Sequence, residues 1–165
     1  MSITVREAVP ADFDEIRRIT RDAYVKDGHI DADHGYLPKL EDVEDRAANA
    51  AGLWVAELDG RVVGSTALTF TGQPYTDIAV EGELEFRMLA VDPAVRRRGV
   101  GRAIVEAVIA YARSLDGIEA VSLTSMPSMT GAHALYLAMG FERQPERDWT
   151  VPGMDLPLMV FRFTL

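Results

Sequence analysis

Apolar and polar residues alternate along positions 3–8 (ITVREA), the period-two pattern of a half-buried strand. The period then changes. Phe13, Ile16, Ile19 and Ala23 recur three or four apart and predict a helix, with Asp12 placed to cap it and Glu15 to answer as in a capping box. Residues 39–50 give a second, weaker helical pattern. LWVAEL (53–58) and RVVGSTALTF (61–70) flank Asp59-Gly60, the strongest short-range hairpin signal. ELEFRMLAV (83–91) predicts a long strand, which Pro93 stops. Val100, Ile104, Val105, Val108, Ile109 and Ala112 form the apolar stripe of another helix. Residues 118–124 predict a strand, 131–139 a helix ended by Gly140, and 157–164 a last strand, with room for one more around 141–150. Strand–helix–strand units joined to a hairpin predict an α/β fold with a mixed sheet. No repeat, linker or low-complexity tract divides the chain, so residues 1–165 are expected to form one domain.

Composition narrows the function classes. The chain has 165 residues, 17 Lys plus Arg against 26 Asp plus Glu, and a net charge of −9. That acidity argues against a nucleic-acid or anionic-membrane partner, because phosphates would be repelled. It has no cysteine, which excludes disulfides, thiolate metal sites and an acyl-cysteine intermediate. No basic-then-apolar leader opens the sequence and no apolar run reads as a membrane span, so a cytoplasmic protein is expected.

The exception to the acidity is LAVDPAVRRRGVGRA (89–103). A strand ends, a loop carries Arg96-Arg97-Arg98-Gly99-Val100-Gly101, and a helix begins. Glycines let backbone N–H groups turn toward a ligand, and the helix start adds a positive dipole end. Arg96, Arg97, Arg98 and Arg102 place four of the 17 basic residues within seven positions. A mere basic helix cap would not need the glycines and the preceding strand. A Walker A loop would need Gly-Lys-Ser/Thr, which is absent, and a dinucleotide fingerprint would need a third glycine or alanine where Ile104 stands.

Arg96-x-x-Gly99-x-Gly101 resembles the acyl-CoA signature of the GNAT N-acetyltransferase superfamily. Leu89-x-Val91-x-Pro93 before it and Ala134-Leu135-Tyr136-x-x-x-Gly140-Phe141 after it fit the same superfamily at its usual spacing. The resemblance implies a mostly antiparallel central sheet flanked by helices, splayed between the fourth and fifth strands. It implies acetyl-CoA as acyl donor, its pyrophosphate on the amides of Arg97 to Arg102 and its pantetheine arm beside Leu89, Ala90 and Val91. It implies an amine acceptor and no metal. Dimers are common in the superfamily, so a homodimer is an expectation. Many members carry Asn seven residues before the tyrosine; here that position is Met129, which leaves Ser125 or Ser128 to replace its contact.

Acetyl transfer to an amine needs a proton acceptor, an oxyanion donor and an acid for the leaving thiolate. Without cysteine, direct attack in a ternary complex fits. Glu85 is the candidate base. By alternation it shares a face with Arg87, Leu89 and Val91 unless a bulge intervenes, and several superfamily members carry Glu or His there. An ion pair with Arg87 is the rival reading. Glu83 is the reserve. Tyr136 matches the superfamily tyrosine and is the candidate acid, with core packing as its alternative. A strand amide near Leu89 is the expected oxyanion donor. His29, Asp31, Tyr36 and Glu83 are candidate acceptor contacts. Residues 27–46 hold seven acids and two bases, which fits either a cationic amine acceptor or simply a solvated acidic loop. The spacing of His29, Asp31, Asp33 and His34 does not suit a calcium loop. Trp54 and His133 read as packing residues, and Trp149 either closes the pocket or packs. The rival function is a non-catalytic acyl-CoA-binding or regulatory module on the same fold.

Overall fold

The computed structural model describes residues 2–165. Strand β1 (Ile3–Glu7) leads to helix α1 (Phe13–Arg21), which runs into a π-helical turn, Asp22–Lys26. Short helices α2 (Leu37–Glu41) and α3 (Val43–Asn49) follow. Then come β2 (Gly52–Leu58), β3 (Arg61–Phe70), β4 (Glu83–Val91), α4 (Val100–Arg113), β5 (Ala120–Ser125) and α5 (Thr130–Met139). Two-residue strands β6 (Glu142–Arg143) and β7 (Trp149–Thr150) precede β8 (Pro157–Thr164). The sheet order is β1-β2-β3-β4-β5-β8-β6, with β7 also on β8. Among these pairings only β4–β5 is parallel. No helix among the described residues is long and apolar enough to cross a membrane.

Local chemistry accounts for most elements. Asp59 and Gly60 both take left-handed backbone, as the β2–β3 hairpin turn requires. Gly140 ends α5 at φ 103°. The predicted stripe of α4 is buried throughout and packs on Leu84, Phe86, Val121 and Leu123. β3 comes so close beneath α4 that a Cβ on Gly64 would stand 3.0 Å from Ile104 Cδ1 and 3.2 Å from the Ala90 carbonyl oxygen. On the other face α1 and α3 bring Ile16 and Val43 onto Leu53, Val55 and Ala67.

Two expectations change, while Trp54 packs against the core as read. The helix of 39–50 is two helices, because Asp42 leaves helical backbone (ψ 69°) to accept the Asp45 N–H and start α3. Asp12 caps from one turn further back. Its carboxylate accepts the Val9 N–H at 2.8 Å and pairs with Arg6, while Glu15 pairs with Arg18 instead of closing a box. Trp54 is half-buried at the rim of the core, edge-on to Tyr111 at 5.3 Å.

The sheet opens where function was expected. β4 and β5 pair only from Glu83↔Ala120 to Phe86↔Leu123; beyond Phe86 the two strands separate. At the same point β4 is bulged. Between the pairs Ala67↔Arg87 and Ser65↔Ala90 it advances three residues while β3 advances two, and Met88 takes φ 55°. The bulge reverses the alternation. Leu84, Phe86, Leu89 and Val91 pack on the α4 side, whereas Glu85, Arg87 and Met88 face the opposite side. The expectation that Glu85 shares a face with Leu89 and Val91 is therefore corrected.

Candidate active site

Three parts meet at the opening: the freed edge of β4, the arginine–glycine loop that follows it, and a cleft on the face opposite α4. The loop leaves β4 through Asp92, whose carboxylate accepts the Ala94 N–H and pairs with Arg18 from α1 at 2.8 Å. Arg97 (φ 64°) and Gly99 (φ 80°) are left-handed, a sequence of turns that gathers N–H groups on one side. Gly99 is the cap of α4 and has no side chain to satisfy the N–H groups of the first turn, which lack acceptors inside the helix. A Cβ at Gly99 would meet nothing within 4 Å, so its φ and not crowding demands glycine. Arg96, Arg97, Arg98, Gly99 and Arg102 are exposed, Gly101 is half-buried and Val100 anchors the turn in the core. Arg96 is paired with Asp27 and Arg102 with Glu106. Free first-turn amides among arginines suit a pyrophosphate.

The cleft is lined by Tyr24, Tyr36, Arg87, Met88, Met126 and Leu158 among others. A larger cavity, about 240 Å³, lies at the other edge of the sheet among Val5, Arg6, Trp54 and Tyr111, away from both the loop and the opening. The narrower cleft, not the larger cavity, adjoins the opening between β4 and β5.

Glu85 is fully buried and does not line the cleft. Its Oε1 accepts the N–H groups of Asp77, Ile78 and Ala79 at 3.1, 3.0 and 3.0 Å, while Oε2 is buried without a partner. Burial pushes its carboxyl above the ordinary value, and the backbone N–H bonds only partly offset this. Ser122, opposite Glu85 on β5, likewise has a buried, unpartnered hydroxyl. The Glu85–Arg87 ion pair of the rival reading is not formed. Arg87 Nε lies 2.9 Å from Asp77 instead.

Glu83 is a structural anchor, which corrects its reading as reserve base and acceptor contact. One carboxylate oxygen takes Arg147, the other both Arg147 and Arg162, at 2.8–3.0 Å. Those arginines hold it below the usual carboxylate range despite burial, and it does not line the cleft.

Tyr136 lies on the α4 side with Phe86, Phe141 and Phe161, its ring 5.7–6.1 Å from theirs between centroids. Burial raises its pKa, so the phenol stays protonated. Tyr24, on the cleft side, lies within electrostatic reach of it. The two candidate catalytic residues thus belong to opposite faces of the sheet. Tyr36 lines the cleft and accepts a hydrogen bond from Arg87 Nη2 at 2.8 Å. His29 lies at the rim, its Nδ1 2.7 Å from Ser128 Oγ, and Asp31 is exposed. Met129 lines the cleft; Ser125 Oγ is 3.0 Å from His133 Nε2, so neither serine is free of partners. Trp149 is half-buried with an unpartnered indole N–H.

Five of the seven acids of 27–46 serve elsewhere. Asp27 pairs with Arg96, Glu41 with Arg21 and Glu44 with Arg17, while Asp42 starts α3 and Asp45 accepts the Tyr75 hydroxyl. None lines the cleft. Its one charged lining residue is Arg87. Sequence reasoning missed Arg87 and Tyr24 as cleft residues. The only signal was an arginine inside an otherwise apolar strand half.

Known proteins share this architecture. A GNAT-family acetyltransferase from Staphylococcus aureus Mu50 superposes with a TM-score of 0.76 at 18% identity, covering 99% of both chains. A Salmonella typhimurium acetyltransferase structure with its cofactor acetyl-CoA superposes with a TM-score of 0.68 at 22% identity, over 100% of this chain and 95% of that one. In sequence, N-acetylaspartate synthetase of Danio rerio is 37% identical over 102 residues, 61% of this chain and 33% of its own length. N-acetyltransferase family 8 member 3 of Rattus norvegicus is 36% identical over 114 residues, 68% and 48%. The chain thus spans a third to a half of these curated relatives. The model of the acetyltransferase (GNAT) family matches residues 13–141, across the loop, the opening and Tyr136, and the chain belongs to that family.

Proposed function

We propose that the protein transfers the acetyl group of acetyl-CoA to a primary amine of a small molecule or peptide, by direct attack in a ternary complex. One juxtaposition carries the reading: the unpaired edge of β4 runs straight into a loop whose glycine cap leaves helix N–H groups free. Leu89, Ala90 and Val91 offer backbone to an extended pantetheine arm, and Arg96 to Arg102 offer amides and charge to its phosphates.

In the reaction the amine nitrogen forms a C–N bond to the acetyl carbon and the C–S bond breaks. One proton leaves the amine and one reaches the departing thiolate. Glu85 receives the first through a bridging water. Its Oε1 is committed to three amides, its Oε2 is unpartnered, and Ser122, its register partner on β5, also has an unpartnered hydroxyl. A carboxylate raised by burial is a stronger base for this work than an exposed one. Tyr136 supplies the second proton from the α4 side of the gap. The residues lining the cleft give no support to a cationic acceptor.

The non-catalytic reading gains from one observation, that Glu85 and Tyr136 both also serve packing and loop anchoring. CoA release with a panel of amines separates the two. Acetyl-CoA at a hundred times its Kd should stabilise the fold by about 2.7 kcal/mol, and adenosine less. A ligand-induced rise in melting temperature without CoA release would favour the module; no rise at millimolar acetyl-CoA would remove the donor site.

A further inference from the structure

The acidic appearance of the chain gives way, inside the cleft, to an excess of buried positive charge. Arg87 is 7% exposed. Nη1 donates to the Tyr75 carbonyl at 2.9 Å and Nη2 to the Tyr36 hydroxyl, each with a second N–H, while Nε stands 2.9 Å from Asp77 as an ion pair. Two donors remain on a guanidinium that lines the cleft. Behind it Arg46 is 1% exposed and bonds only the carbonyls of Lys39 and Leu40; among the described residues no carboxylate lies within ion-pair distance of it. Arg46 and Arg87 act electrostatically on the same tyrosines, Tyr24 and Tyr36. Asp77 pairs with Arg87 and the buried Glu85 also acts on it, whereas Arg46 has no carboxylate partner among the described residues. Buried charge without a matching partner is costly and marks a place where a ligand completes the balance.

We propose that Arg87, positioned by Tyr36 and Asp77, is the specificity-determining residue for the acceptor, and that the acceptor is an α-amino acid whose carboxylate it binds. The proposal rests on the acetyltransferase reading for its amine. Guanidinium and carboxylate match as planar partners with parallel hydrogen bonds. The location sets the rest of the ligand. β4 and β5 part just after Phe86, so Arg87 stands at the mouth of the gap beside which the donor's acyl end belongs. A carboxylate held there leaves room for an amine only a few bonds away, which an α-amino acid supplies. Met88, Met126 and Leu158 form an apolar wall for its side chain. The Met88 bulge presents Arg87 and that wall on the same face.

The test compares free amino acids with the corresponding amino acid amides, which keep the amine and lose the carboxylate. With CoA release as readout, kcat/KM should be at least about tenfold higher for the acids. Arg87→Met should bring the ratio to within about threefold, and Arg87→Lys should keep part of it. An amide or a peptide used as well as the acid by wild type, or a ratio unchanged in Arg87→Met, overturns the proposal. Calorimetric titration with N-acetyl amino acids and their amides gives a readout independent of turnover. Carboxylate-dependent binding lost in Arg87→Met, without CoA release from any amine, would leave the subsite standing and remove the transferase reading. No carboxylate-dependent binding and no acid preference would remove the subsite. Should Arg87→Met fail to fold, Tyr36→Phe serves instead. A fall of about threefold in the acid-to-amide ratio supports the positioning role, and an unchanged ratio overturns it.

Discussion

The two halves of β4 use the same kinds of residue to opposite ends. From Leu84 to Phe86 the strand is paired on both sides, and the charge at its start is balanced, Glu83 being surrounded by Arg147 and Arg162. From Arg87 onward it is bulged and unpaired toward β5, and the buried Arg46 near Arg87 has no carboxylate partner among the described residues. Glu85 stands at the border, its one oxygen anchored like Glu83 and its other left open. Balanced buried charge at Glu83 holds the sheet together; four residues on, at Arg87, buried charge faces the cleft where the acceptor is proposed to bind.

The sharpest way to break this contrast is at its closed end. Glu83→Ala leaves two arginines facing each other and should cost about 3 kcal/mol, read as a lower urea midpoint at unchanged slope. If the loss is below about 0.5 kcal/mol, the pairing is no more than a surface one. The open end responds in rate instead. Tyr136→Phe should lower turnover about a hundredfold while leaving acetyl-CoA affinity nearly intact; equal turnover would assign Tyr136 to packing alone. Gly64→Ala tests how tightly α4, and with it the loop, is seated. Overpacking against Ile104 and the Ala90 carbonyl should cost about 1–2 kcal/mol and weaken acetyl-CoA binding, both measurable by thermal unfolding with and without ligand.

The smallest effect separates the two glutamates by sign. Glu83 is held below its ordinary value of 4.5, so its contribution is present above that pH and lost as pH falls through its lowered pKa. Glu85 is raised above 4.5, so the native state resists its ionisation and stability is lost as pH rises from 4.5 through the raised pKa. Glu85→Gln keeps an acceptor for the three amides and should flatten that loss, leaving the variant as stable as wild type or more so at neutral pH. A steeper decline in the variant would contradict the desolvated carboxyl.

Features written in consecutive residues were legible in the sequence. The hairpin at Asp59-Gly60, the stripe of α4 and the glycine–arginine loop each depend on neighbours a few positions apart. The acceptor side was not. Met88 is an ordinary residue in a glycine-like conformation, so nothing local announces the bulge that turns Arg87 and Met88 to the same side. Tyr24 reaches the cleft because the end of α1 widens into a π turn, which periodicity at 3.6 does not reveal. The acids of 27–46 suggested a cation site because their arginine partners lie far away in sequence, as Arg96 does from Asp27.

The bulge also sets a rule for anyone altering this strand. A mutational library that follows simple alternation and varies 86, 88 and 90 together would strike the core at Phe86 while meaning to redesign the cleft. The productive pair is consecutive, 87 with 88. Removing one residue between Arg87 and Ala90 would erase the bulge and restore regular alternation, leaving Leu89 and Val91 on the α4 side but costing the cleft its consecutive pair, so the extra residue in this segment matters as much as its identity.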